Sequence, residues 1–160
     1  MTKTLKRERR STKAFMSLHQ TSDVLFRCED QIVHQFGITA EQYTVLTAVE
    51  GLNDPVKITD VARRLGRKVN SVSMLVDRMV NAGLVTRKRD LPDRRAVRLG
   101  MTSKGRKACE RATPAVSRLI EEVFLPLSPE DTDVLAKLLE ALRGKALKYL
   151  GSRLHPDRMA

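Results

Sequence analysis

The first third of the chain carries apolar residues at the three- and four-residue spacing of an amphipathic helix. From Phe15 to Phe36 these residues recur along one face. We therefore predict one long helix over about 14–36. Beyond it, Thr39 and Gln42 have the spacing of a capping box, which predicts the start of a second helix.

Two shorter helical patterns and two strand patterns follow in the middle of the chain. The later of the two helices occupies about 69–82 and repeats apolar residues along one face. The segments 84–89 and 96–101 are typical of strands, and Pro92 between them suits the second position of a type I turn. Two helices joined by a short turn form a helix-turn-helix, and the hairpin over about 84–101 is its wing.

The remaining sequence predicts two more amphipathic helices within 103–150, followed by a tail over 151–160. Apolar stripes on the first helix and on these two must be buried, and a compact unit of ~50 residues cannot cover all three. We therefore expect the long helices to pack against a second copy of the chain around a two-fold axis. The predicted fold is mainly α with a small β-hairpin wing. A winged helix-turn-helix region over 37–107 is flanked by long N- and C-terminal dimerisation helices.

Positive charge is concentrated in the predicted winged region. Fifteen of the 30 Lys and Arg residues, but only four of the 19 Asp and Glu residues, fall within 57–107, so this segment holds the whole net charge of +11. Residues 1–56 and 108–160 are each balanced, and the basic residues of 1–13 predict a flexible arm. Clustered Lys and Arg bind the regularly spaced phosphates of nucleic acid and release counterions, so we expect double-stranded DNA as a partner. A solvated basic face without a partner is the alternative.

Composition narrows the function classes further. Aromatic residues make up 4% of the chain and Trp is absent, which disfavours a base-stacking surface for RNA. No apolar run approaches the ~20 residues needed to cross a bilayer, so we expect no membrane partner. Cys28 and Cys109 stand apart from any metal-ligand spacing, and the acidic neighbours of Cys28 disfavour a thiolate. We expect a cytoplasmic protein with no cofactor, no metal and no catalytic residues.

Five motifs occur in order along the chain. They are Ile38-Thr39-x-x-Gln42-Tyr43-x-x-Leu46, Ile58-Thr59-Asp60-Val61-Ala62-x-x-Leu65-Gly66, Val72-x-x-Leu75-Val76-Asp77-Arg78-Met79, Ala82-Gly83-Leu84-Val85, and Arg89-Asp90-x-x-Asp93-Arg94-Arg95-Ala96-Val97-x-Leu99 leading to Thr102-x-x-Gly105. Together they resemble the MarR family of bacterial winged helix-turn-helix regulators over roughly 11–150. The resemblance implies a homodimer that binds operator DNA, often as a repressor released by a small aromatic acid or by oxidation.

The amino-terminal turns of a recognition helix normally reach base edges in the major groove. We assign the groove contacts to Asn70, Ser71, Ser73 and Met74 of the fourth helix. Arg67 and Lys68 lie at the entrance of the groove, and Arg78 is a further DNA-binding residue on the exposed face of the helix. Asn pairs bidentately with adenine, and Met covers a thymine methyl group. For Asn70 and Ser71 the alternative is helix capping alone. Lys68 and Met74 depart from the residues usual in the family, so the operator sequence does not transfer from relatives.

The predicted wing supplies a second contact. Arg94 and Arg95 follow the turn, and an Arg at a wing tip fits the narrow minor groove of A·T-rich DNA. By resemblance to the family, Asp90 and Asp93 hold these arginines in position, and a salt-bridged surface loop is the alternative for Arg94. Phosphate contacts are assigned to Thr59, Arg63, Arg64, Arg87, Lys88 and Arg98.

The sequence thus predicts a dimeric, sequence-specific transcriptional regulator on a pseudo-palindromic operator, with half-sites ~34 Å apart. A repressor relieved by a small-molecule effector of unidentified chemistry is the form we favour. The alternative is a winged-helix module that associates with RNA or protein and does not read a DNA sequence.

Overall fold

The computed structural model describes residues 3–52, 56–89 and 97–154. Within them the element order is α1 (Lys3–His34), α2 (Ala40–Glu50), β1 (Val56–Lys57), α3 (Ile58–Leu65), α4 (Val69–Asn81), β2 (Val85–Arg89), β3 (Val97–Met101), α5 (Ser103–Phe124) and α6 (Pro129–Leu154). The chain divides into two compact units, Met1–Leu119 and Ile120–Ala160. None of the helices in the described ranges is long and apolar enough to cross a membrane.

Helix α1 is longer than its apolar pattern predicts. It begins at Lys3, so most of the basic segment expected to be a flexible arm forms the first turns of a helix instead. Lys, Arg and Glu are good helix formers, and the Thr12 hydroxyl donates to the Glu8 carbonyl at 2.9 Å. The apolar pattern starts only at Phe15, and polar helical turns leave no periodic signal in a sequence.

The capping box predicted at the start of α2 is confirmed. The Thr39 hydroxyl accepts from the Gln42 amide at 3.3 Å, and the Gln42 side chain accepts from the Thr39 amide at 3.0 Å. Asp30 on α1 adds a bond, because its carboxylate accepts from the Ala40 amide at 2.8 Å. This bond ties the end of the long helix α1 to the start of α2.

The hairpin predicted for the wing is part of a three-stranded antiparallel sheet with strand order β1-β3-β2. Strands β2 and β3 pair from Val85 opposite Met101 to Arg89 opposite Val97. The short strand β1, which follows α2, adds Val56 opposite Leu99 and Lys57 opposite Arg98. The wing therefore extends from a sheet that is anchored on its other edge by the segment leading into α3.

The core of the first unit lies between the end of α1, helices α2, α3 and α4, the sheet and the first half of α5. Its largest fully buried side chains are Val33, Val45, Leu46, Val61, Val72, Val76, Met79, Leu84, Val85 and Cys109. Thr102 caps α5, since its hydroxyl accepts from the Gly105 amide at 3.0 Å and donates to the Gly83 carbonyl at 2.7 Å. The start of α5 is thereby fixed to the turn that joins α4 to β2.

The second unit contains the last turn of α5 and helix α6. The Ser128 hydroxyl accepts from the Asp131 amide at 3.0 Å, and Pro129 is the first residue of α6. Helix α6 continues to Leu154, four residues into the segment expected to be a tail, and 155–160 lie outside the described residues. Several large apolar side chains of α6 are exposed: Val134, Leu138, Leu139, Leu142, Leu147 and Leu150.

Candidate nucleic-acid interface

Helix α4 presents one face to the core and the opposite face to solvent. The buried face is formed by Val72, Leu75, Val76 and Met79. The exposed face carries four of the side chains assigned to DNA contacts, namely Asn70, Ser71, Met74 and Arg78, with Asp77 between them. Met74 is 68% exposed, a large value for an apolar side chain in the middle of a helix. An exposed, mixed polar and apolar helix face of this kind suits contact with base edges and thymine methyl groups.

The start of α4 is exposed and positively charged. Lys68 takes the capping position with extended backbone, and its side chain makes no capping hydrogen bond. Asn70 and Ser71 lie inside the first turn, so neither of them caps the helix. The first amides of a helix carry partial positive charge and favour anions, and here exposed Arg67 and Lys68 lie beside them.

Two of the predicted contact residues are tied to α2 by one carboxylate. Glu41 accepts from the Arg67 guanidinium at 3.2 Å, and its second oxygen lies 3.9 Å from the guanidinium of Arg78. Arg78 is 69% exposed at its side chain and Arg67 38%, so both remain accessible to solvent. Sequence reasoning missed Glu41, because its position in the first turn of α2 suggests only a favourable interaction with the helix dipole.

A third contact joins the wing to the recognition helix. The guanidinium of Arg87 on β2 donates to the Ser73 hydroxyl at 2.8 Å and forms an ion pair with Asp77, both on α4. Ser73 is accordingly only half-exposed. Arg87 was predicted as a phosphate contact and Ser73 as a base contact; the structure brings the two side chains together instead of presenting them separately. Both assignments to DNA stay predictions.

The remaining phosphate candidates are distributed over α3 and the sheet. Thr59 and Arg63 are exposed on α3, and Arg63 pairs with Asp60 at 3.3 Å. Arg64 donates to the carbonyl of Gly51 at 3.1 Å, so part of its guanidinium is used to hold the end of α2.

The sheet places three basic positions in one row. Arg98 on β3 lies opposite Lys57 on β1 and opposite Lys88 on β2. Lys57 was not among the predicted contacts, because the pairing of β1 with β3 is a long-range feature that the local pattern does not reveal. The wing residues Asp90, Asp93, Arg94 and Arg95 lie outside the described residues, and their assigned roles stay predictions.

Three titratable side chains near α1, α2 and α5 have raised pKa values. Burial, and secondarily the charge of Glu50, raises the pKa of the Cys109 thiol, which therefore stays protonated at neutral pH. Burial and then Asp30 raise the pKa of Glu29, and burial raises that of Tyr43, which donates a hydrogen bond to Thr113 at 3.2 Å. Within the described ranges, no group of three or more His, Cys, Asp or Glu side chains is arranged to hold a metal ion.

The helix-turn-helix, the exposed face of α4 and the three-stranded sheet define a winged helix-turn-helix DNA-binding protein. A sequence model of the MarR family matches residues 36–96, the region from the end of α1 to the wing. The chain is 27% identical over 128 residues to the HTH-type transcriptional regulator YkoM of Bacillus subtilis. The aligned region covers 80% of this chain and 78% of YkoM. Residues 36–96 are therefore similar to MarR-family regulators, and the curated relative is an HTH-type transcriptional regulator.

Solved structures agree with the winged-helix fold. The crystal structure of the S. aureus MepR–DNA complex aligns with a TM-score of 0.73 at 25% identity, covering 81% of this chain and 93% of that one. The organohalide-sensing regulator RdhR-CbdbA1625, solved in its 2,4-dichlorophenol-bound form, aligns with a TM-score of 0.79 at 22% identity. This alignment covers 86% of the present chain and 81% of RdhR-CbdbA1625. Because its identity to this chain is only 22%, the similarity to RdhR-CbdbA1625 concerns the fold alone.

Proposed function

We propose that the chain is a homodimeric, sequence-specific DNA-binding repressor that reads one half of a pseudo-palindromic operator with each protomer. The observation that carries this proposal is the exposed face of α4, with Asn70, Ser71 and Met74 free of protein contacts that would bury them. In this arrangement the amino-terminal half of α4 enters the major groove. Asn70 pairs with an adenine edge and Met74 covers a thymine methyl group.

The basic side chains around α4 position the helix on the phosphate backbone. Lys68 and the first amides of α4 bind one phosphate, and Arg67 and Arg78, held by Glu41, bind further along the groove. Lys57 joins the assigned phosphate contacts Thr59, Arg63, Arg64, Lys88 and Arg98, while Arg87 holds α4 through Ser73 and Asp77. At the wing we keep Arg94 and Arg95 as minor-groove contacts, supported by Asp90 and Asp93.

The dimer is supported by apolar side chains that each unit leaves in solvent. On α1, Phe15 is 60% exposed and Met16 51%. On α6 the exposed apolar side chains recur along most of the helix. Exposed apolar side chains in this number mark an interface, and a second copy of the chain covers them with the same side chains in a two-fold arrangement.

Relief of repression by a small aromatic molecule completes the proposal. The support is the neighbour RdhR-CbdbA1625, which is described in a 2,4-dichlorophenol-bound form. In this chain a cleft of about 270 Å³ lies between α1, α2 and α4, with Phe26, Glu41, Leu75 and Arg78 in its lining. An apolar ligand there lies against Arg78 of the recognition helix, so its binding affects the residues that position α4.

Selection of bound sites from random duplex DNA tests the proposal. We expect an inverted repeat with half-site centres ~34 Å apart. Asn70→Ala should weaken binding by about 1–3 kcal/mol and relax the preference at one base pair of each half-site. Asn81→Ala, an exposed asparagine at the other end of α4, is the matched control and should leave binding unchanged. Equal affinity for every sequence would instead favour the RNA-associated or protein-interaction module.

A further inference from the structure

A second cavity, of about 560 Å³, lies beside the first half of α5, outside the residues assigned to DNA. Its walls include Phe36 just after α1, Leu84 between α4 and β2, and Lys104, Lys107, Ala108 and Arg111 of α5. The volume falls within the range of about 300–1,000 Å³ typical of small-molecule sites. All of these residues belong to the first compact unit.

Among the residues that the structure describes, the cations of this cavity have only neutral partners. The Lys104 ammonium donates to the carbonyl of Ala82, at the end of α4, at 2.8 Å. The guanidinium carbon of Arg111 lies 5.6 Å from the centroid of the Phe36 ring. In the described part of the chain, none of Lys104, Lys107 and Arg111 lies in an ion pair with a carboxylate, and no acidic side chain lines the cavity. Three exposed positive charges therefore line the cavity without a carboxylate partner in these residues.

The spacing of these residues makes their repulsion unavoidable. Lys104, Lys107 and Arg111 are three and four residues apart on one helix, so they share a face. Like charges at these spacings destabilise a helix, and an anion bound between them removes that cost. A group with two negative charges compensates more of the three positive charges than a single carboxylate does.

The cavity also has an apolar part. Leu84 and Ala108 are buried and form its floor, and the half-buried ring of Phe36 lies at its side. A bare inorganic anion leaves this surface in contact with water, whereas an organic body covers it. We propose that the cavity binds a small organic phosphate monoester, with the phosphate among the three cations and the organic body against Phe36, Leu84 and Ala108.

The test compares three probes by isothermal titration calorimetry with the full chain and without DNA. Phenyl phosphate carries the dianion and an apolar body, inorganic phosphate lacks the body, and benzoate has the body with one charge. We expect phenyl phosphate to bind at least about tenfold more tightly than either of the other two probes. A tenfold difference in affinity is what one charge-assisted contact or one buried apolar group typically contributes. Benzoate binding as tightly as phenyl phosphate overturns the assignment to a phosphate ester, and so does a failure of phenyl phosphate to saturate.

Variants locate the site. Lys107→Gln and Arg111→Gln should each weaken phenyl phosphate binding by about tenfold, with unchanged circular dichroism. Arg106→Gln is the matched control, because Arg106 is exposed on the same helix, carries the same charge and does not line the cavity. Equal weakening by Arg106→Gln would show that net charge alone attracts the ligand and would contradict the proposal. Because no DNA is present, these outcomes are independent of the proposed operator binding.

Discussion

At the scale of single residues, Arg87 shows how the structure changes the meaning of a basic side chain. A cation on the wing strand of a DNA-binding fold suggests a phosphate contact, but its guanidinium here joins Ser73 and Asp77 of α4. The negative charge of Asp77 on the recognition face is otherwise hard to reconcile with polyanionic DNA. Paired with Arg87, it holds the helix against the sheet. We therefore expect Arg87 to act on DNA binding through the position of α4.

Salt dependence and sequence preference together separate this positioning role from a phosphate contact. Arg87→Met should reduce the preference for operator over random DNA while leaving the slope of log affinity against log salt unchanged. Arg63→Met, which removes an exposed cation on α3, should lower that slope by about one and leave sequence preference intact. Asp77→Asn provides the sharper check: by charge alone it should strengthen binding to DNA, whereas loss of the Arg87 contact should weaken operator binding. Stronger operator binding by Asp77→Asn would refute the positioning role.

At the scale of elements, the start of α5 fixes the position of the wing. A Cβ at Gly105 would lie 2.0 Å from the carbonyl oxygen of Leu84. Helix α5 therefore approaches the turn before β2 more closely than any residue with a side chain at position 105 would permit. Gly144 on α6 has no heavy atom within 4 Å of the corresponding position. Two glycines within helices therefore have opposite structural roles.

Alanine substitutions at these glycines should have opposite effects on the free energy of unfolding. Gly105→Ala forces α5 away from Leu84 and should cost about 1–3 kcal/mol, the usual cost of overpacking. Gly144→Ala should add about 0.5–1 kcal/mol, because alanine loses less backbone entropy in a helix. Urea unfolding of both variants at one protein concentration measures the difference. A neutral Gly105→Ala would mean that the close approach to Leu84 is not required.

The elements also show what the sequence reveals and what it hides. Caps, apolar periodicity and turn residues are local, so the capping box at Thr39, the start of α6 at Pro129 and the span of α4 are predicted within a residue or two. The first turns of α1 are polar and leave no periodic signal, so its start at Lys3 is missed. The contacts of Arg87 with α4 and of Glu41 with Arg67 join distant segments. No local pattern encodes such contacts, and the candidate site depends on them.

At the scale of the whole molecule, charge and apolar surface are segregated along the chain. The segment 57–107 holds the net positive charge, while the flanking segments are balanced and carry the exposed apolar faces. This division allows one part of the chain to bind phosphates while the other parts bind a second copy. In the proposed dimer, operator affinity depends on two linked recognition helices, so dimerisation and high affinity for the full operator should be lost together.

A charge placed in the apolar face of α1 tests this linkage. Phe15→Asp should convert the protein from two chains to one in analytical ultracentrifugation, because a buried, unpaired carboxylate at an interface costs more than the apolar contact it replaces. Gln20→Asp adds the same charge on the polar face of α1 and should leave the dimer intact. The monomeric variant should bind a single half-site as the parent protomer does but lose most of its affinity for the full operator, since the second contact is no longer intramolecular. A Phe15→Asp protein that remains dimeric, or a monomer that retains full operator affinity, would contradict the proposed arrangement.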